Sequence, residues 1–173
     1  MKFQIITFSF LIFSLGTSLA QSNSHACSED EFYQKLDFWV GEWKVYDTSG
    51  KLVGNNKIEK ILNGCAVMEH WTSVGGSEGK SLFYVDNNTR NWKQVWVTQG
   101  AKTVGGQKEK TMIKAFVNGG LRFQGELLAG DKTFLDRTTL TPNHDGSVRQ
   151  LIEISRDAGK TWSKSFEGIY RKE

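Results

Sequence analysis

Acidic, basic, amide and indole side chains that recur at two-residue intervals are the part of this sequence with the most potential for chemistry. Glu69 and Trp71 are separated by His70, so in a strand the first two share one face and the histidine lies on the other. If Trp71 faces an interior, Glu69 faces it too, and a buried carboxylate needs a partner. Arg137 and Arg149, on later strands, are the predicted partners. Glu69 would then anchor a ligand or act as a general base; the alternatives are a rim position or a structural ion pair.

A second alternating set follows at Trp92, Gln94 and Trp96, which share one face of a predicted strand. Two indoles with one amide between them suit a pocket wall that is apolar and offers a hydrogen-bonding group. Ordinary core packing, with Gln94 bonded to a neighbour, is the alternative. Trp43 and Phe116 are further candidates for an apolar wall. The full set of candidate ligand-binding residues is Trp43, Glu69, Trp71, Gln94, Trp96, Phe116, Arg137 and Arg149.

Several other kinds of site are not expected. Two cysteines without nearby histidines do not make a zinc site, and the histidines do not have the spacing of metal or haem ligands. The sequence has no nucleophile elbow and no phosphate-binding glycine loop, so no cofactor is expected. The stretch 155–162, SRDAGKTW, resembles the Asp-box of sialidases, but a single copy indicates a stable hairpin turn.

The elements that must position these side chains are mostly strands. After Gly41 the pattern alternates to the end of the chain, with turn residues such as Asn63-Gly64 and Gly75-Gly76 at hairpin spacing. About ten strands without a crossover helix predict an antiparallel up-and-down barrel, with a two-sheet sandwich as the alternative. A capping box that begins at Ser28 predicts one short helix through about Leu36, before the first strand.

Residues 1–20 have the pattern of a signal peptide. Lys2 precedes an apolar run from Phe3 to Leu15, and small residues occupy the cleavage site at Ala20. The prediction is an exported protein, periplasmic or secreted, with residues 21–173 as a single domain. Lipidation at Cys27 is the alternative, although Cys27 lies far beyond the apolar run. The run is too short to span a bilayer comfortably, and no membrane span is expected in the mature chain.

The charges and cysteines of the mature chain limit its partners. Removal of Lys2 leaves 21 basic and 19 acidic side chains, and the basic ones are scattered, which argues against nucleic-acid binding. In an exported protein Cys27 and Cys65 could form a disulfide that joins the N-terminal segment to the barrel wall. The alternative is a small buried residue at Cys65 and a free thiol at Cys27. The sequence does not indicate the oligomeric state.

The order of several short motifs resembles that of small bacterial proteins grouped as a domain of unknown function with a calycin-like, or lipocalin-like, barrel. The matching stretches are LDFWVGEW at residues 36–43, then 63–65, 69–71, 137–150 and 161–170. Together they cover about residues 35–171. The resemblance implies a calycin-like barrel and supplies no catalytic residues.

Two related kinds of barrel resemble the chain less. Gly41-x-Trp43 is similar to the start of true lipocalins, with Arg171 as the candidate for their late arginine, but lipocalins place their main helix near the end. Haem-binding barrels related to nitrobindin need a histidine on a late strand, which this chain lacks.

The sequence therefore supports three hypotheses for the function. The first is binding of a small, largely apolar or amphipathic ligand in the barrel interior. The second is an enzyme, a lyase, isomerase or hydrolase, that uses Glu69 as acid or base with Arg137 nearby. The third is an envelope interaction module with a filled core. A carrier without catalysis is favoured over the enzyme.

Overall fold

Ten antiparallel strands account for most of residues 27–172, the part of the chain that the computed structural model describes. They are β1 (Gly41–Tyr46), β2 (Leu52–Ile61), β3 (Ala66–Ser73), β4 (Glu78–Asp86), β5 (Asn91–Thr98), β6 (Gln107–Ala115), β7 (Leu121–Ala129), β8 (Lys132–Pro142), β9 (Val148–Ser155) and β10 (Ser163–Lys172). Each strand pairs with its sequence neighbours, and β10 pairs with β1, so the sheet closes into a barrel. The predicted all-β, up-and-down barrel is confirmed, and the two-sheet sandwich is wrong. The predicted signal peptide, residues 1–20, lies outside the described residues.

The segment before β1 does not contain the predicted α-helix. It forms three 3₁₀ turns, Cys27–Glu29, Glu31–Gln34 and Asp37–Trp39. A 3₁₀ turn places residues i and i+3 on one side, and this suits Leu36 and Trp39, which are both completely buried. Within residues 27–172, no helix has the length and apolar content to cross a membrane.

Hydrogen bonds and a disulfide hold this segment against the barrel. Asp30, rather than the expected Ser28, caps the second turn by accepting a hydrogen bond from the backbone N–H of Phe32 at 2.8 Å. Cys27 is disulfide-bonded to Cys65, which directly precedes β3. The structure thus contains the pairing that the sequence left open, and the segment is covalently joined to the barrel wall.

Aromatic rings pack the end of the barrel beneath this segment. Trp39 meets Phe83 and Tyr170 edge-on, with ring centroids 5.5 Å and 5.8 Å apart. The indole N–H of Trp43 donates to the backbone oxygen of Trp39 at 2.8 Å. The glycine-x-tryptophan start of β1 therefore works together with Trp39 to close the barrel. The buried core here is Leu36, Trp39, Trp43, Val45, Ile58, Val67, Phe83, Trp92, Leu121, Phe123, Leu140, Val148 and Tyr170.

Candidate functional site

A cavity of about 290 Å³ occupies the barrel interior on the far side of this aromatic core. Four of the eight predicted ligand-binding residues line it: Glu69, Trp71, Gln94 and Trp96. Eight lining residues were not predicted, namely Lys108, Lys110, Thr138, Gln150, Ile152, Ser165, Phe166 and Tyr170. The cavity is therefore apolar on some sides and carries amide, hydroxyl and charged groups on others.

Polar side chains form a connected layer between the cavity and the core. The Oε1 atom of Glu69 accepts a hydrogen bond from Asn56 Nδ2 at 2.8 Å, and its Oε2 atom accepts one from Ser81 Oγ at 2.6 Å. Ser81 Oγ in turn accepts from Gln94 Nε2 at 3.0 Å. All four side chains are buried, so the network provides hydrogen-bond partners for both oxygens of a carboxyl group that is removed from water.

Tyr170 connects the same layer to β9. Its hydroxyl accepts a hydrogen bond from Asn56 Nδ2 at 3.2 Å and donates one to Gln150 Oε1 at 2.9 Å. Burial and the nearby Glu69 raise the pKa of Tyr170 well above its usual 10. The phenol is therefore a neutral donor and acceptor at the floor of the cavity.

Two acceptor atoms in this layer lack a donor among the described residues. Gln94 Oε1 and Asn56 Oδ1 are both buried and make no hydrogen bond there. Buried polar atoms are normally paired, so an unpaired one calls for an explanation. Gln94 lines the cavity, so an N–H or O–H group of a ligand that reached Oε1 would satisfy this oxygen.

Glu69 is in an environment that favours its neutral form. Burial raises the pKa of Glu69 above its ordinary value of 4.5, while the hydrogen bonds from Ser81 and Asn56 and the charge of Lys110 oppose this rise. Folding then favours the protonated acid. The cost of keeping Glu69 buried should grow as the pH rises from about its unfolded pKa through the higher folded one.

Substitution of Glu69 by glutamine should therefore change how stability depends on pH. Glutamine has the same shape but no charge to desolvate, so Glu69→Gln should gain free energy of unfolding relative to the native protein as the pH rises from 4 to 8. Urea unfolding at several pH values measures this. The control is Glu153→Gln, since Arg137 lowers the pKa of Glu153 from its ordinary 4.5; its substitution should lose relative stability as the pH rises, and only at the acidic end of the range. Equal pH slopes for the native protein and Glu69→Gln would contradict the assignment.

A buried charge cluster lies beside the polar layer. Asp136 on β8 forms ion pairs with two lysines of β6: Lys110, and Lys108 at 2.5 Å. Lys110 also donates to Thr138 Oγ1 at 2.6 Å. Burial lowers the pKa of Lys110 to about 8; the charge of Asp136 opposes this and that of Lys108 adds to it. Two amines thus share one carboxylate inside the barrel.

Gly125 lets the cluster reach across β7, the strand that separates β6 from β8. A Cβ atom at Gly125 would overlap the carbonyl oxygen of Glu109, next to Lys110. Glycine is thus required where the backbone of β6 comes this close. In the register of the sheet Gly125 lies opposite Asp136, so the missing side chain also leaves room for the ion pairs.

Two glycines leave space for the indoles that form the cavity walls. A Cβ at Gly54 would lie 2.5 Å from Cη2 of Trp71, and one at Gly79 would overlap the ring of Trp96. Trp71 also meets Phe166 edge-on at 6.3 Å. The indoles lie against bare backbone, which leaves the interior between them open.

Arg137 and Arg149 do not face the cavity. Arg137 binds Glu153 through Nε and Nη2 at 2.6 Å and 3.0 Å, and Arg149 Nε binds Glu167 at 2.7 Å. The neighbouring Thr138 lines the cavity, so Arg137 lies on the opposite, outer face of the sheet. The prediction that these arginines pair with Glu69 is wrong, and neither arginine lines this cavity. Their own glutamates neutralise them outside the barrel.

Trp43 and Phe116 do not line the cavity either. Trp43 belongs to the buried core beside Trp39. Phe116 follows the end of β6, and its ring lies beneath the cationic groups of Lys114 and Arg122, 4.9 Å and 5.2 Å from its centroid. Phe116 lies beyond β6, which ends at Ala115, and Trp43 borders a separate pocket with His70, so neither forms a wall of this cavity.

The Asp-box-like stretch is a turn outside the cavity. Asp157 accepts hydrogen bonds from the backbone N–H and the hydroxyl of Thr161 at 2.8 Å and 2.6 Å, which lower the pKa of the aspartate to about 2. The indole of Trp162 donates to Gly159 and lies 3.8 Å below the guanidinium of Arg137. These contacts stabilise the hairpin between β9 and β10.

Comparisons with known proteins leave the cavity as the basis for assigning a function. The sequence matches no protein-family model and no curated protein. Among residues 27–172, no three histidine, cysteine, aspartate or glutamate side chains are placed to hold a metal ion. The resemblance to calycin-like barrels stays a prediction from the motifs, and the functional argument depends on the chemistry of the cavity.

Proposed function

We propose that the protein is an exported, calycin-like barrel that binds a small amphipathic molecule in the cavity. A ring of the ligand would lie between Trp71 and Trp96, with its polar end on the layer that contains Gln94 and Glu69. Gln94 carries this proposal, because its side chain lines the cavity and its buried Oε1 atom has no donor among the described residues.

The size of the cavity supports a small ligand. A volume of about 290 Å³ is at the lower end of the range for small-molecule sites. It corresponds to about ten water molecules, and a molecule with one or two rings would fill it. The polar floor favours an amphipathic ligand over the largely apolar one that the sequence also allowed. A cavity of this size also argues against an interaction module with a filled core.

The proposal of export is supported by a sequence pattern and by the disulfide. The apolar run from Phe3 to Leu15 has the length of a signal peptide. The disulfide between Cys27 and Cys65 is compatible with an oxidising compartment.

Substitution of Gly79 by alanine should abolish binding by displacing the indole of Trp96. A new Cβ would overlap that ring, which can move only into the cavity or into the barrel wall. Isothermal titration calorimetry with indole and 2-naphthol should show binding to the native protein and a loss of roughly tenfold or more in Gly79→Ala. The control is Gly75→Ala, whose Cβ would meet only Ser73 Oγ at 3.8 Å. The proposal fails if the native protein binds neither compound, or if Gly79→Ala binds as well as Gly75→Ala.

Acid–base catalysis is a second candidate, favoured by the position of Glu69. Its carboxyl group lines the cavity, and burial raises its pKa towards neutrality. The arginine partner that the sequence suggested is absent, and Asn56 and Ser81 occupy both oxygens. Glu69→Gln tests the catalytic function, because a catalyst would turn over a bound compound in the native protein and not in the variant, whereas a binding protein would show turnover in neither.

A further inference from the structure

Two amines inside the barrel share one carboxylate as their ion-pair partner, and the proposed function does not use this arrangement. Two amines, Lys108 and Lys110, face the cavity, and both are paired with the single carboxylate of Asp136. Glu69 does not form a direct ion pair with either lysine. Within residues 27–172 its oxygens are bound by Asn56 and Ser81, and neither lysine is in hydrogen-bond contact with it.

Both ammonium groups have N–H donors that no acceptor in residues 27–172 uses. An ammonium group has three N–H donors. Lys108 uses one on Asp136, and Lys110 uses two, on Asp136 and Thr138. Lys108 is the more accessible of the two, with 16% of its side chain exposed against 3% for Lys110. It is therefore the amine that an incoming anion would meet first.

The register of the sheet places these amines beside the predicted ring site. On the cavity face Lys108 lies directly opposite Trp96, and Lys110 lies directly opposite Gln94. A planar molecule against the Trp96 indole would therefore have an ammonium group at one edge. Gln94, whose Oε1 atom is unpaired among the described residues, belongs to the next cavity-facing pair of residues towards the floor of the cavity.

We propose that the ligand is a small aromatic carboxylic acid with a ring N–H or O–H, held by Lys108 and Lys110 through its carboxylate and by Gln94 through its donor. This inference rests on the proposed function, since it names the ligand class for the same cavity. The carboxylate supplies the second negative charge that the two amines lack, through charge-assisted hydrogen bonds. The indole walls would favour a ligand with an aromatic ring, and the Gln94 oxygen would favour one whose ring carries an N–H or O–H donor.

Two indoles with different side chains test the charge directly. Calorimetry with indole-3-acetate and with indole-3-ethanol compares a carboxylate with a neutral hydroxyl on the same ring. The native protein should bind the acid roughly tenfold or more tightly than the alcohol. Lys108→Met should remove most of this preference by weakening the binding of the acid. The control is Lys102→Met, which removes the same charge from an exposed lysine of the β5–β6 turn and should keep the preference.

The outcomes distinguish this inference from the proposed function. Equal binding of acid and alcohol by the native protein overturns the carboxylate and leaves the binding barrel in place. Tighter binding of naphthalene-2-sulfonate than of 2-naphthoate also overturns it, in favour of another class of anion. If none of these compounds and no neutral aromatic binds, the proposed function itself fails. The comparison of ligands on the native protein does not depend on whether Lys108→Met folds.

Discussion

Asp136→Asn should lower the free energy of unfolding by about 3–5 kcal/mol, because it leaves the buried amine of Lys110 and the partly buried amine of Lys108 without their paired carboxylate. Asp136 is 1% exposed and is the only carboxylate paired with Lys108 and Lys110 among the described residues. An asparagine of the same size accepts hydrogen bonds but carries no charge. Guanidinium unfolding at pH 7, followed by tryptophan fluorescence, measures the change.

Two further variants show whether charge is the cause. Adding Lys110→Met to Asp136→Asn removes the more deeply buried amine, so the double variant should recover part of the lost stability. Asp131→Asn, in the exposed turn between β7 and β8, should change stability by no more than about 0.5 kcal/mol. If Asp136→Asn is no more damaging than Asp131→Asn, the buried ion pairs do not stabilise the barrel as described.

Replacement of both Cys27 and Cys65 by serine should cost on the order of 4 kcal/mol. The two cysteines are 38 residues apart, and the loop-closure entropy of a cross-link of that length is of this size. The bridge also holds the segment that carries Leu36 and Trp39, both completely buried at the closed end. Thermal unfolding of the native and double-serine proteins measures the loss.

A reducing agent supplies the internal control for the disulfide. Dithiothreitol should lower the midpoint of unfolding of the native protein towards that of the double-serine variant and should leave the variant unchanged. If the two proteins unfold at the same temperature without reductant, the bridge does not stabilise the fold.

The barrel itself could be predicted because its signals are local. Turn residues at hairpin spacing define consecutive antiparallel pairs, and a meander needs no information about distant pairing. The N-terminal helix could not be predicted correctly, because the capping box at Ser28 competes with a second cap at Asp30. The burial of Leu36 and Trp39, three residues apart, then favours tight turns over an α-helix.

The site could be predicted in part because alternation gives two faces without saying which is inside. On β3 and β5 the large indoles in phase with Glu69 and Gln94 pointed to the interior, where the structure places them. On β8 the residues on either side of Arg137 are polar too, so hydrophobicity does not choose a face. The expectation that Glu69 needs an arginine partner then assigned Arg137 to the interior face, whereas the structure places it on the outer face.

A signal for the missed lysines was present in the sequence. Lys108 and Lys110 are in phase with Met112, which packs against the core, and this places the amines on the interior face. The glycines at positions 54 and 79 were a second signal. A glycine in mid-strand indicates a close approach by another group, and here that group is an indole.

The pairing of β1 with β10 has a consequence for how the chain folds. Every other pair of neighbouring strands in the barrel is also adjacent in sequence, whereas this pair joins the two ends of the sheet through Trp43–Tyr46 and Ile169–Lys172. The entropic cost of closing a long loop therefore falls mainly on the pairing of β1 with β10. Until β1 meets β10 the chain is an open sheet with two free edges, and water still reaches its interior face. We therefore expect the charge cluster of Asp136 to become fully desolvated only in the last step of folding.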